Sequence, residues 1–530
     1  MRRALGADVD LELVRAFRRT PDVVVVGAGA AGAVLAARLS EDPDREVVLL
    51  EAGPAPRDAA GFGPALLDAR LVPGAQPGHP ATSAHPVRLL DGRPWTVPRG
   101  HVLGGSTTVN GGYFIRARRG DFDRWAAAGN PAWAYAEVLP LLRALETDLD
   151  HVPGHLHGDR GPMRVRRAPL KHPAALAFRD AAQALGFPAE PDKNGQAVPG
   201  FGPVPSNSVN GVRRNTALGY LTADVLGRPN LTVLGGTRAR RITVEHGRAT
   251  AVLVESGGRR AKLNAGEVVL SAGALSSAHL LQLSGIGPRS DLERLGIPVV
   301  LDAPAIGARF SDHPQLTLDW RPHEEPDEPS DSWLGGCLHL PCDGPGDVEI
   351  LQSLIPMAGL TSGRLRAPGA PLSFLVSALT PRPTGRLRLR SPDGSVPPDV
   401  DYGYLSAPGD YGRLRLAVRV TAALLSTSPL AALSGGLLAP GPAVLDDDRA
   451  LDGWIRDHLG TAHHTCGTVP MGPADEPERA AVDQYGRVHG VRGLRVADTS
   501  ILPDAPQRGP AATAVLVGEV IADAIRRALR

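Results

Sequence analysis

Four consecutive valines, Val23–Val26, open the ordered pattern of this chain, and a second unbroken apolar run, Val47–Leu50, follows about twenty residues later. Continuous apolar runs of this length mark parallel strands buried on both faces. Small and branched residues between them, Ala33–Leu39, predict a helix, so the segment reads as strand, helix, strand. Three further runs, Asn230–Val233, Glu267–Leu270 and Leu494–Ala497, predict more strands of the same sheet. Helical spacing predicts helices over Pro140–Asp148, Arg413–Leu424 and Ala511–Leu529. The first of these opens on proline, whose missing N–H costs nothing at the first helical position. Near the N-terminus Val9, Leu11, Leu13, Val14 and Phe17 fit a short amphipathic helix.

Other stretches differ in character. Residues 53–98 lack periodicity and are rich in Pro, Gly, Ala and His, which predicts a long surface excursion acting as a cover. Residues 151–210 are loop-rich. Within 315–455 the run Arg386–Arg390 alternates Arg with Leu, predicting a half-exposed antiparallel sheet, and His323–Ser332 is an acidic, Pro-rich loop. No internal repeat is present. The expected architecture is an α/β protein with a discontinuous Rossmann-like domain (20–150, 211–314 and 456–530). A second domain (151–210 and 315–455) would carry an antiparallel sheet and helices.

Composition narrows the class. The 530 residues include 62 Gly and 50 Pro, but with 42% hydrophobic residues and a net charge of +1 the chain can build a core. Near-neutral charge gives no reason to expect nucleic acid. Only Lys171, Lys193 and Lys262 are lysines among 57 basic residues, and the arginines are dispersed and balanced by 56 acids. Cys337, Cys342 and Cys466 form no CxxC or His/Cys cluster, so neither a disulfide framework nor a metal site is expected. No run reaches the ~18 apolar residues of a membrane span and no signal-peptide core is present. The expectation is a cytoplasmic protein, with peripheral membrane contact left open.

The chemistry starts at Gly27, Gly29 and Gly32, a GxGxxG between the first strand and its helix, with Glu51 ending the second strand. Gly27 makes the turn, Gly29 admits a pyrophosphate to the helix N-terminus beside Ala30 and Ala31, and Gly32 lets helix and strand pack closely. Glu51, followed by Ala52, accepts hydrogen bonds from ribose hydroxyls and disfavours a 2′-phosphate. The unit by itself leaves FAD and NAD open.

Five further segments carry a resemblance. RGHVLGGSTTVNGGYFIR (99–116) and SAGALSSAHLLQLSGIG (271–287) are similar to the two signatures of the glucose–methanol–choline (GMC) oxidoreductases, with Ala278 where Pro is usual. IGARFSDHP (306–314), HTCGTVPMG (464–472) and VDQYGRVHGVRGLRVADTSILP (482–503) follow in that family's order. The resemblance implies FAD, a Rossmann-like domain and an antiparallel substrate domain. VNGGYFIRARRGDFDRW, ALETDLD, HGDRGPMRVRR and RGPAATAVLVGE resemble the mycofactocin-associated branch more closely. That branch implies reoxidation of a reduced, peptide-derived redox cofactor and electron delivery to a respiratory-chain acceptor.

Oxidising an alcohol needs a base for the hydroxyl proton and an acceptor for the hydride. Of 16 histidines, His464 matches the family's catalytic position, His463 lies near the flavin, and His313 and His101 are structural or flavin-proximal. The resemblance places Gly104 and Gly105 at the isoalloxazine, Ala239 at the adenine and Asp498 at the pyrophosphate, and counts Val102, Asn110 and Gly509 among the cofactor-binding residues; Asp498 also suits a helix N-cap. Val109 stands where some relatives attach FAD through His, so the FAD is expected to be non-covalent. Relatives carry a second His or Asn where this chain has Gly509. Arg508, Gln507, a water or the substrate itself is left to replace it. The implied reaction is oxidation of a small CH–OH substrate. The alternatives are a small or aromatic alcohol oxidase or dehydrogenase, and an FAD-containing hydroxynitrile lyase.

Overall fold

Five parallel strands lie in the order Leu231–Leu234, Val47–Leu50, Val23–Val26, Glu267–Leu270 and Leu494–Val496. They run in simple register, Val24 lying between Val48 and Val268. Every residue of Val23–Val26 and Val47–Leu50 is buried, which is why these strands read as unbroken apolar runs. The coordinates are a computed structural model that describes residues 20–528 apart from 326, 363–368, 381, 383 and 408. The expected N-terminal amphipathic helix lies outside the described residues, as does residue 529 of the last predicted helix.

Helix Ala30–Leu39 covers the parallel sheet, and the C-terminal helix Ala511–Ala528 packs against it. The contact depends on Gly518, where a Cβ would stand 2.8 Å from Ala31 O and from Val34 Cβ. A second sheet has the order Ser434–Leu437, Pro314–Pro322, Leu372–Ala378, Val348–Ser353, Leu334–Leu340 and Phe201–Pro203, with Gly460–Thr461 also paired to Pro314–Pro322. Its pairings are antiparallel. The strands Leu334–Leu340, Val348–Ser353 and Leu372–Ala378 are buried on both faces, so they show no alternation in sequence.

Three expectations change. The run at Arg386–Arg390 is half-exposed and antiparallel as expected, but its strand is only Arg386–Arg388, paired with Asp399–Asp401 in a separate four-stranded sheet. The partners there are Thr82–Leu90 and Arg93–Gly100, so the stretch read as a loose excursion ends in a β-hairpin. Arg88 anchors this sheet through Asp399 and Asp401. The helix expected to open on Pro140 instead spans Tyr135–Ala144 with Pro140 inside it. Burial of Tyr135, Val138 and Leu142 holds its apolar face in place across the lost hydrogen bond, and Glu146–Asp148 turns into a strand beside Met163–Arg167. Among the described residues no helix is long and apolar enough to cross a membrane.

Candidate active site

A continuous cavity of about 860 Å³ opens at the carboxyl ends of the parallel strands and extends to one face of the antiparallel sheet. Crevices at strand carboxyl ends are where open α/β sheets bind ligands. One end is built from glycine. Gly27 takes φ +100°, and a Cβ there would meet Ser271 O at 2.4 Å. At Gly29 a Cβ would have no neighbour nearer than 4.0 Å, so the space beyond it belongs to the cavity. Gly29 caps helix Ala30–Leu39 without any side-chain hydrogen bond, leaving first-turn amides free for an anion. Gly105 (φ +53°) backs onto Gly29, where a Cβ on Gly105 would stand only 2.7 Å from Gly29 Cα, so two motifs seventy-odd residues apart close one cradle.

Two acids flank this cradle. Glu51 accepts from the amides of Ala28 (3.1 Å) and Gly53 (2.8 Å), and burial raises its pKa. Asp498 accepts from Gly273 N (2.9 Å) and Ser277 Oγ (2.5 Å) through one oxygen and Ser500 N (2.9 Å) through the other. It caps the short helix Thr499–Ile501 and tethers the N-terminus of Ala274–Leu283, so its capping and cavity-lining positions coincide.

At the far end His464 Nδ1 lies 2.8 Å from His313 Nδ1. Two nitrogens that close share one proton. Buried Asp312 fixes both rings' backbones: its Oδ1 accepts from His313 N (2.6 Å) and His464 N (2.9 Å), and its Oδ2 accepts from Thr465 Oγ1 (2.7 Å). Arg99 donates to His463 O (2.7 Å) and Thr465 Oγ1 (3.0 Å). His463 is held at φ +64°, a left-handed conformation rarely kept by a non-glycine residue outside a constrained site. Burial, then the neighbouring His313, His463 and Arg99, push the His464 pKa well below the usual histidine range, so the ring is neutral at pH 7. Its Nε2 edge faces Gly509, where a Cβ would lie 3.5 Å away.

Residues 21–315 match the N-terminal GMC oxidoreductase profile and residues 381–518 the C-terminal one. The chain belongs to the GMC oxidoreductase family. It is 35% identical to an oxygen-dependent choline dehydrogenase of Rhizobium etli, over 95% of both chains. Among solved structures, pyridoxine 4-oxidase from Mesorbium loti superposes with a TM-score of 0.87 at 30% identity, covering 96% of this chain and 99% of that one. A fungal aryl-alcohol oxidase gives a TM-score of 0.82 at 25% identity, covering 97% and 100%. This GMC protein is an FAD-dependent oxidoreductase acting on CH–OH groups.

The glycine cradle, the uncapped helix end and the room beyond Gly29 fit the pyrophosphate of FAD. Of the residues expected from sequence, Gly27, Gly29, Ala30, Ala31, Glu51, Ala52, Gly105, Asn110, Ala239, His463, His464, Asp498 and Gly509 line the one cavity. Gly32, Val102 and Gly104 do not line it. They shape the wall from behind: a Cβ at Gly32 would overlap Gly27 O at 1.9 Å, Val102 is buried, and Gly104 N donates to Ala28 O. Neither Arg508 nor Gln507 reaches the gap at Gly509. Arg508 is buried with its Nη1 on the carbonyls of Gly346 and Gln507, the backbone N–H of Gln507 donates to Asp121, and neither residue lines the cavity. Sequence reasoning missed Asp312, Arg99, Tyr113 and Glu349. Asp312 and Arg99 stood inside motifs already noted, whereas Glu349 was an isolated acid in an apolar strand.

Proposed function

We propose that His464 accepts the hydroxyl proton of the substrate and that the enzyme works as a dehydrogenase with non-covalently held FAD. The observation that carries this reading is the His313–His464 pair, with Nδ1 of His464 occupied and its Nε2 edge turned to the open place at Gly509. Burial holds the His313 pKa down to about 4, and the backbone carbonyls of Pro506 and Leu379, which oppose that shift, favour the neutral ring's one proton on the nitrogen away from His464. With that proton on Nε2, His313 Nδ1 accepts from His464 Nδ1–H. His464 Nε2 then carries the lone pair that takes the substrate proton. FAD, when bound, supplies the hydride acceptor.

On this reading Gly27, Gly29, Ala30 and Ala31 hold the pyrophosphate, Glu51 the ribose and Ala239 the adenine. Gly105, Asn110 and His463 border the isoalloxazine, and Val109, with only carbon to offer the cavity, leaves the flavin free of a covalent bond. The division into a cofactor unit (20–150, 211–314 and 456–530) and a substrate unit (151–210 and 315–455) belongs to the same proposal.

The donor we propose is a reduced mycofactocin-type cofactor, with electrons passed to a respiratory acceptor from a cytoplasmic enzyme. The four segments quoted above, similar to that branch, support it. A second reading, a small aromatic alcohol, is favoured by the apolar wall of Trp333, Leu351, Leu360 and Leu375 and by the pyridoxine and aryl-alcohol oxidases among the similar structures. Anaerobic mixing with reduced mycofactocin cofactor and with a panel of benzylic alcohols tests both, since the true donor bleaches the flavin. In His464→Ala the expected result is loss of bleaching with FAD retained; an unchanged reduction rate removes His464 from the mechanism.

A further inference from the structure

Glu349 lines the same cavity, and the proton transfer assigned to His464 makes no use of it. It sits in Val348–Ser353, a strand buried throughout, opposite Ser377 on one side and His339 on the other. Its Oε2 accepts from the Tyr113 hydroxyl at 2.9 Å and lies 3.0 Å from His339 Nε2. Behind His339 the Lys193 ammonium approaches Nδ1 at 3.1 Å and pairs with Glu190 at 2.6 Å. A lysine ammonium can only donate, so His339 Nδ1 accepts and His339 Nε2–H donates to Glu349. The ligand atoms of Cys337, His339 and Glu349 come within 4.8 Å of one another, but the buried cations Arg508 and Lys193 already supply positive charge to this cluster.

Both of these hydrogen bonds fall on one oxygen, while a carboxylate offers about four acceptor positions. The cavity wall around it carries apolar Trp333, Leu351 and Leu375, with Gln315 donating to Ser377 on the neighbouring strand. Tyr113 links this carboxylate to the chemistry. A Cβ at Gly509 would stand 3.5 Å from His464 Nε2 and 3.8 Å from Tyr113 Cδ1, so the tyrosine ring lies across the empty place from the proton acceptor. Its hydroxyl leads on to Glu349.

We propose that Glu349 determines specificity by receiving a second hydrogen-bond donor on the substrate, a hydroxyl or ammonium distinct from the group oxidised. The enzyme then selects alcohols bearing such a donor over equally sized alcohols without one. This rests on the alcohol-oxidising reading above. A buried acceptor site left unfilled rejects the analogue that lacks the donor.

The test compares 4-hydroxybenzyl alcohol and 4-(aminomethyl)benzyl alcohol with 4-methylbenzyl alcohol in anaerobic reduction of the holoenzyme. Non-oxidisable 4-methylphenol, 4-methylbenzylamine and toluene are titrated in parallel by difference absorbance of the bound FAD. We expect at least one donor-bearing ligand to be preferred about tenfold or more in kcat/KM and in Kd, mainly through KM. The two arms separate hydroxyl from ammonium. Glu349→Gln should abolish the preference and Glu349→Asp should shrink it, the latter serving if the Gln variant does not fold. Equal use of all three alcohols by the wild type, or a preference retained in Glu349→Gln, overturns the assignment. If no alcohol bleaches the flavin but 4-methylphenol or 4-methylbenzylamine outbinds toluene in a Glu349-dependent way, the oxidation reading fails and the role of Glu349 stands.

Discussion

Replacing His313 tests whether the histidine pair sets the chemistry or only fills space. His313→Leu removes the acceptor that lies 2.8 Å from His464 Nδ1 and leaves that N–H buried without a partner. An unsatisfied buried donor costs about 1–3 kcal/mol. The ring relieves that cost by moving its proton to Nε2, which removes the lone pair proposed to accept the substrate proton. Since about 1.4 kcal/mol is a factor of ten, the flavin-reduction rate should fall roughly five- to 150-fold. His313→Asn places an amide oxygen near the position of the lost nitrogen, so its rate should stay within about fivefold of wild type on the same scale. The assay is anaerobic stopped-flow bleaching of bound FAD, with FAD content measured for each variant. The pH profile supplies a second check. Burial holds the His464 pKa well below its ordinary 6.5, so wild-type reduction should be flat around neutrality and decline only as acid protonates the ring. A leucine variant as fast as wild type, or an asparagine variant as slow as leucine, refutes the argument.

Gly105→Ala should yield protein with little FAD, because the left-handed backbone costs about 1–2 kcal/mol and the new methyl meets Gly29 Cα. The absorbance ratio of flavin to protein measures it, and full occupancy would contradict the back-to-back cradle. His157→Gln probes stability. Burial lowers the His157 pKa, but hydrogen bonds to Asp148, Asp192 and Glu146 outweigh it and raise the value to about 10. A raised pKa contributes stability that is complete below about 6.5 and is lost as pH rises toward 10. The Tm gap between wild type and variant should therefore be widest near pH 6 and narrow by pH 10; a constant gap would show that the ring's charge is irrelevant.

The parallel sheet was legible because its inner strands Val23–Val26 and Val47–Leu50 are buried on both faces, and ends fall within one residue even at the half-buried edge strand Leu231–Leu234 against the expected Asn230–Val233. Helix Ala30–Leu39 begins one turn before the expected Ala33, since a glycine- and alanine-rich turn reads as loop until packing orders it. Prolines concealed the hairpin: Pro94 and Pro98 sit in the edge strand Arg93–Gly100, where missing amides are tolerated, and Pro86 sits in Thr82–Leu90 beyond its one pairing with Asp399–Asp401 at Arg88. His464 and the glycines were readable from contiguous motifs. Asp312, Tyr113 and Glu349 gain their meaning only from segments far apart in sequence, and no local pattern encodes that meeting.

The cradle at Gly29 and Gly105 lies near the N-terminus, whereas His464, Asp498 and Gly509 come from the last seventy residues. The central strand Val23–Val26 gains its neighbour Glu267–Leu270 only after more than half the chain is made, and that neighbour waits for Leu494–Val496. No N-terminal fragment therefore possesses the whole cavity wall. Every residue as far as Gly509 must be made before the glycine cradle and His464 can share one enclosure, so a chain terminated before that point cannot carry this site whole.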